Sequence, residues 1–224
     1  MPGRETPLIN GGIYHIFNKT IDSKKVFLNP QDCDNFLEII KYYRSTKPIL
    51  SYSRFRKLQN DIGDYLLKEL SFKKFFQIEL LCYCLMPTHF HFLIRQKKEN
   101  GTSRFMADII NSFTRYHNLR AERKGPIFLQ RFRAERIMSQ EHLIHVSRYI
   151  HLNPYSSGIV NSYDDLEDYK WSSLKEYVSG KANLAEQEYL LKIFNNDSSR
   201  YRNFVLSNAE YQRTLEYCKH AEKW

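Results

Sequence analysis

The sequence predicts an α+β fold: a ferredoxin-like split βαβ core with an antiparallel sheet and helices on one face, plus a further helix and a helical C-terminal extension. Two observations predict it. Short runs rich in β-branched and aromatic residues alternate with two long helical stripes in the order β-α-β-β-α-β. The two middle strands are separated only by Met86-Pro87-Thr88, a connection short enough for a hairpin.

Each element follows from local signals. Residues 12–18, Gly-Ile-Tyr-His-Ile-Phe-Asn, follow a Gly-Gly turn signal and read as the first strand. From Gln31 the apolar residues Phe36, Leu37, Ile39, Ile40 and Tyr43 recur at helical spacing until Pro48, so a helix covers 31–46, capped by Asn29 or Asp32. Residues 49–75 are basic and mixed in character, broken only at Gly63, and read as a helical insertion. The runs 76–85 and 89–95 form the hairpin. A second helix starts at Ser103 and carries a stripe from Phe105 to Leu119 that Gly125-Pro126 stops. Residues 127–137 return to strand character, and Ser139 opens a helix expected to end near Asn153-Pro154. Residues 1–180 are therefore read as the main domain and 181–224 as the helical extension, with no internal repeat.

Composition narrows the function classes. Thirty-four Lys and Arg against 25 Asp and Glu give a formal net charge of +9, which argues for a polyanionic partner, nucleic acid first. Sixteen Tyr and 15 Phe exclude ordinary disorder and suit a surface that stacks on unpaired bases. No run of about 18 apolar residues and no leader pattern is present, so no membrane partner is expected and the cytoplasm is the default location. Cys33, Cys82, Cys84 and Cys218 lack the spacing of a zinc knuckle and read as small packing residues.

The chemistry concentrates in the second hairpin strand. Thr88-His89-Phe90-His91-Phe92-Leu93-Ile94 alternates, so His89 and His91 project from one face while Phe90 and Phe92 anchor the other. Two neutral imidazoles on one face can bind a divalent metal; the competing reading is an ordinary pair of surface or core histidines. On the helix after Ser139, His142, His145, Tyr149 and Asn153 fall within roughly an 80° arc, beside an apolar stripe of Leu143, Val146 and Ile150. Docked by that stripe, the helix would hold a phenol and an amide over the paired imidazoles. On the last strand, Gln130 precedes Arg131 and Arg133, which alternate with Phe132; the two cations suit a nucleic-acid backbone or an edge strand kept soluble by charge.

Cys84-Leu85-Met86-Pro87-Thr88-His89-Phe90-His91, then Gln130-Arg131-Phe132, then Arg148-Tyr149-Ile150-His151-Leu152-Asn153-Pro154, resembles the single-tyrosine HUH transposases, and within them the REP-associated tyrosine transposases. The resemblance covers about residues 11–178. It implies that His89 and His91 are metal ligands, that Asn153 completes the site, and that Tyr149 is the nucleophile. Relatives often carry Asn where this chain has Thr88, and their compact core lacks the segments 49–75 and beyond about 180. The implied activity is a metal-dependent endonuclease and strand transferase acting on single-stranded DNA at hairpin-forming repeats through a 5′-phosphotyrosine. Mg²⁺ or Mn²⁺ suits such a mixed nitrogen and oxygen site. Two other readings stay open: a nucleic-acid-binding regulator descended from a transposase, and a phosphohydrolase using activated water. Related enzymes occur as monomers and as dimers, so a homodimer stays open too. His151 lies on the far side of its helix from Tyr149 and reads as structural.

Overall fold

The computed structural model describes residues 7–221, with no account of the side chains of 219–221. The strands β1 (Ile13–Lys19), β2 (Ile78–Met86), β3 (His89–Gln96) and β4 (Arg133–Arg136) are hydrogen-bonded in the order β2-β3-β1-β4. The first two helices are α1 (Pro30–Tyr43) and α2 (Tyr52–Phe55). They are followed by α3 (Asn60–Leu70), α4 (Gly101–Arg120), α5 (Gln140–Ser156) and α6 (Tyr163–Glu167). The C-terminal part holds α7 (Leu174–Ser179), α8 (Glu188–Leu191), α9 (Ser198–Leu206) and α10 (Ala209–Ala221). The fold is α+β with a four-stranded antiparallel sheet, and the β-α-β-β-α-β order of the core stands. Among the described residues, no helix is long and apolar enough to cross a membrane.

Two compact units are distinguishable. The first comprises the chain up to Glu79, Pro87–His89 and Ile94–Arg136. In it α1 packs on α4, with Phe27, Phe36, Phe113 and Phe128 in mutual ring contact at centroid distances of 4.9–6.3 Å. Asn29 caps α1 by accepting from the Gln31 amide, and Pro30 occupies the first turn, where its missing N–H costs nothing. The insertion at 49–75 is helical, built of α2, α3 and a short 3₁₀ turn. β1 runs antiparallel to β3: Gly11 donates to Gln96 O and Gln96 to Gly12 O at one end, while Thr20 donates to Thr88 O at the other.

The last strand is shorter than the 127–137 expected. Tyr14 to Phe17 pair with Arg136 to Arg133, and the ladder resumes only at Thr20 opposite Phe128. Two residues of β1, Asn18 and Lys19, thus face four, Leu129 to Phe132, so the later segment bulges by two residues. Asn18 stabilises the bulge by donating its side-chain amide to Leu129 O at 3.1 Å, and Leu129 N–H reaches Lys19 O at 2.9 Å.

The second unit comprises Leu80–Met86, Phe90–Leu93 and the chain from Ile137 onward. Here α5 packs against α6, α9 and α10, and α7 against α6 and α9. The backbone of β2 is covered by later chain: Leu85 donates to Trp171 O, Ser173 to Tyr83 O and Glu186 to Leu80 O, so the strand offers no open ladder along these groups. Buried Glu176 ties this cover down. Its Oε1 accepts from the Tyr83 hydroxyl at 2.9 Å, and its Oε2 accepts from the amides of Asn183, Leu184 and Ala185 at 2.7–3.0 Å. The residues assigned to a separate extension, from 181 on, lie in this same unit as α5.

The Glu176 cluster predicts a large stability effect. Glu176→Ala strips three backbone donors and a phenol of their acceptor and should lower the unfolding free energy by about 3 kcal/mol, measured by urea titration.

Candidate active site

β3 alternates as its sequence dictates. Phe90 and Phe92 are buried with ring centroids 4.5 Å apart, stacked on one face. His89 and His91 occupy the other face, about 6.7 Å apart along the strand by its rise per residue. His89 is half-buried and shares a 3.0 Å hydrogen bond between its Nδ1 and the Thr88 hydroxyl. When that hydroxyl accepts, the proton resides on Nδ1 and Nε2 carries the lone pair a metal needs. Thr88 therefore supplies a polar partner to the histidine. The Thr88 carbonyl is held in turn by the amide and the hydroxyl of Thr20.

Helix α5 begins at Ser139, whose hydroxyl accepts from the His142 amide at 3.0 Å. Leu143 and Ile150 are buried along one stripe. Tyr149, half-buried, stands beside it with its ring edge-on to His91: the centroids are 5.6 Å apart and the planes meet at 88°. His91 is 5% exposed and Asn153 7%. Asn153 donates its side-chain amide to the backbone carbonyl of Tyr149 at 3.0 Å, leaving its Oδ1 as the atom able to accept or to ligate. The structure thus brings His91, Tyr149 and Asn153 together within the second unit, and His89 precedes His91 by two residues on the same strand.

Helix α5 does not end at Asn153. It continues through Pro154 to Ser156. Pro154 cannot donate to Ile150 O, which normally breaks a helix. Here the following turn is closed by Ser157 N–H on Asn153 O and by the amides of Ile159 and Val160 on Pro154 O. The hydroxyls of Ser156 and Ser157 also donate to Asn153 O.

His151 lies two residues past Tyr149, on the opposite side of the helix, and is fully buried. Its Nε2 is 2.7 Å from Ser173 Oγ and its Nδ1 2.8 Å from the Tyr201 hydroxyl. Ser173 Oγ also accepts from the Tyr83 amide and faces the Tyr83 carbonyl, so the network closes with Nε2–H donating to Ser173 and Tyr201 donating to Nδ1. Burial pushes the imidazole pKa down to about 3, holding the ring neutral.

The other residues singled out in the sequence are placed elsewhere. His145 shares its Nδ1 with Arg148 at 2.8 Å, and Arg148 covers the Phe204 ring at 4.5 Å. His142 receives a long, 3.5 Å contact from the Met138 amide. Gln130 and Arg131 are exposed on the bulge rather than on a strand, because the register break loops them out. Arg133 is exposed at the first position of β4, opposite Phe17. Among the described residues no group of three or more His, Cys, Asp or Glu side chains is placed to hold an ion. A metal here would take two imidazoles and the Asn153 amide oxygen, a donor set that fits a divalent ion keeping open positions for water and phosphate.

Residues 49–153 match the sequence model of a family described as transposase, IS200 like. The matched segment holds His89, His91, Tyr149 and Asn153. A solved structure of a REP-associated tyrosine transposase bound to a REP hairpin aligns with a TM-score of 0.54 and 17% sequence identity, over 82% of this chain and 90% of that one. The chain has the fold of that REP-associated tyrosine transposase. The family match takes in the 49–75 segment that motif resemblance leaves outside the core, and it does not reach β1 or α1. No curated protein matches the chain in sequence.

The buried imidazole makes stability depend on acid. His151 has a folded pKa of about 3 against about 6.5 when unfolded, so the unfolded state binds the extra proton between those values and stability falls as pH drops through them. Urea unfolding at pH 7 and pH 5 should show a loss of roughly 1.4 kcal/mol per pH unit below about 6.5 that is absent in His151→Gln.

Proposed function

We propose that this chain is a transposase that cuts and rejoins single-stranded DNA beside hairpin-forming repeats, with Tyr149 as nucleophile. The observation that carries this reading is the phenol of Tyr149 set edge-on against His91, with Asn153 tied to the tyrosine's own backbone carbonyl. The Tyr149 oxygen attacks the scissile phosphorus, and the bond from phosphorus to the 3′ oxygen breaks. The products are a 5′-phosphotyrosine and a 3′-hydroxyl, and the phenolic proton leaves so that the departing oxygen ends protonated. The phosphodiester is exchanged, not hydrolysed, so a second 3′-hydroxyl reverses the step on another strand with no nucleotide cofactor.

His89, His91 and the Asn153 amide oxygen would hold a divalent ion, Mg²⁺ or Mn²⁺. When bound, such an ion neutralises charge on a phosphate oxygen and favours departure of the 3′ oxygen. The protein's own residues do the positioning: Phe90 and Phe92 anchor β3, and α5 presents Tyr149 beside His91. Gln130 and Arg131 on the bulge and Arg133 at the start of β4 are exposed donors suited to phosphates or base edges of the DNA. The net charge of +9 supports a polyanionic substrate, and the transposase of like fold is one bound to a REP hairpin. We place the reaction in the cytoplasm and leave the homodimer as a form to be measured by light scattering.

A panel of hairpin-forming single-stranded oligonucleotides with Mn²⁺ or Mg²⁺ should yield a covalent protein–DNA adduct that resists denaturing gels. Tyr149→Phe should abolish it, and chelation or a His89→Ala, His91→Ala pair should reduce it by at least about 100-fold, a scale set by losing a metal's charge stabilisation. Cleavage that persists in Tyr149→Phe without an adduct would identify a water-using phosphohydrolase instead. Tight, salt-sensitive binding with no cleavage in either metal would identify a binding regulator.

A further inference from the structure

Helix α10 lies against α5, and three residues of its first turn, Glu210, Gln212 and Arg213, grip Tyr149 and the stretch that follows it. The Glu210 carboxylate accepts from the hydroxyls of Tyr155, at 2.5 Å, and Tyr163, at 3.1 Å, and these bonds hold its pKa below the usual range. Arg213 covers the Tyr155 ring at 4.7 Å and donates to Asn161. Between them, Gln212 donates its side-chain amide to the backbone carbonyl of Tyr149 at 3.2 Å and reaches Ser156 Oγ at 3.4 Å.

The two partners of Gln212 stand on either side of Pro154, where α5 lacks the backbone bond to Ile150 O. A helix missing that bond bends easily, and its flexing would swing the residue one turn before the proline. Tyr149 immediately precedes Ile150, at the N-terminal edge of that turn. Its carbonyl receives a second side-chain donor, Asn153, from α5 itself. Gln212 is the one of the two donors that comes from another helix, so it references Tyr149 to a body beyond the weakened turn.

We infer that Gln212 is a positioning residue for Tyr149, bracing the proline-weakened turn of α5 so that the phenol keeps its place beside His91. The inference rests on the reading of Tyr149 as nucleophile. It assigns the C-terminal helix a part in the chemistry, exerted through a backbone carbonyl and without contact to DNA. The energetic logic is that of orientation: a displacement of about 1 Å can cost two orders of magnitude in rate while leaving substrate affinity alone.

The test separates donor from volume in the full-length protein. Gln212→Met keeps the size and removes the donor; Gln212→Lys keeps a donor of similar reach. With a labelled hairpin oligonucleotide and Mn²⁺, the single-turnover rate of adduct formation should fall about tenfold in Gln212→Met and stay within about threefold of wild type in Gln212→Lys, with the hairpin Kd unchanged in both. A wild-type rate in Gln212→Met overturns the inference. So does an equal fall of rate and affinity in both variants, which would mark Gln212 as a general support of the tail. An adduct that survives Tyr149→Phe is a separate result: it removes the nucleophile reading and this inference with it.

Discussion

The orientation of α5 about its own axis depends on one buried imidazole. His151 is held at both ring nitrogens, by Ser173 and by Tyr201, and those partners come from the segment before α7 and from α9. Two residues along a helix turn the direction by about 200°, so clamping His151 inward places Tyr149 outward, on the side of His91. A neutral, fully hydrogen-bonded ring in a dry site is costly to disturb, because rotating the helix would strand a phenol, a hydroxyl and an imidazole together. The residue that fixes the direction of Tyr149 therefore lies in the same short motif as the tyrosine, on the opposite side of the helix.

The later chain acts as the frame for that clamp. Segments 171–173 and 186 cover the backbone of β2, and Glu176 gathers three amides and the Tyr83 hydroxyl. Ser173 belongs to both systems: it bonds the β2 backbone at Tyr83 and the ring of His151. Strand and helix are thus referenced to one hydroxyl, which ties the position of Tyr149 to the strand segment that continues into the hairpin. The residues past 180 are integrated with this frame through Tyr201, Glu210 and Gln212.

Much of this was legible in the residues. Alternation along His89–Ile94 separates imidazoles from phenyl rings, and helical spacing puts Tyr149 and Asn153 on one face with His151 opposite; both are local rules that any context obeys. What escaped depends on partners distant in the chain. The bulge at 129–132 arises because Asn18 takes Leu129 O, a choice invisible in the strand-like run Ile127–Ile137. Asn153-Pro154 reads as a stop, yet the helix passes through because later amides and two serine hydroxyls take over the carbonyls on either side of the break. Gln212 and Glu176 carry no motif at all; an amide and a carboxylate on helices look like ordinary surface residues until their partners are known.

The two-residue bulge also governs what the outer border of the sheet can do. β4 is left with four residues, Arg-Ala-Glu-Arg, of which the two arginines and the glutamate are exposed. A border that short and that charged is a poor template for a neighbouring chain, since a stranger's strand would gain few ladder bonds and meet guanidinium groups at both ends. Self-association by joining sheets rim to rim is thereby discouraged, and the same guanidinium groups remain turned toward the solvent.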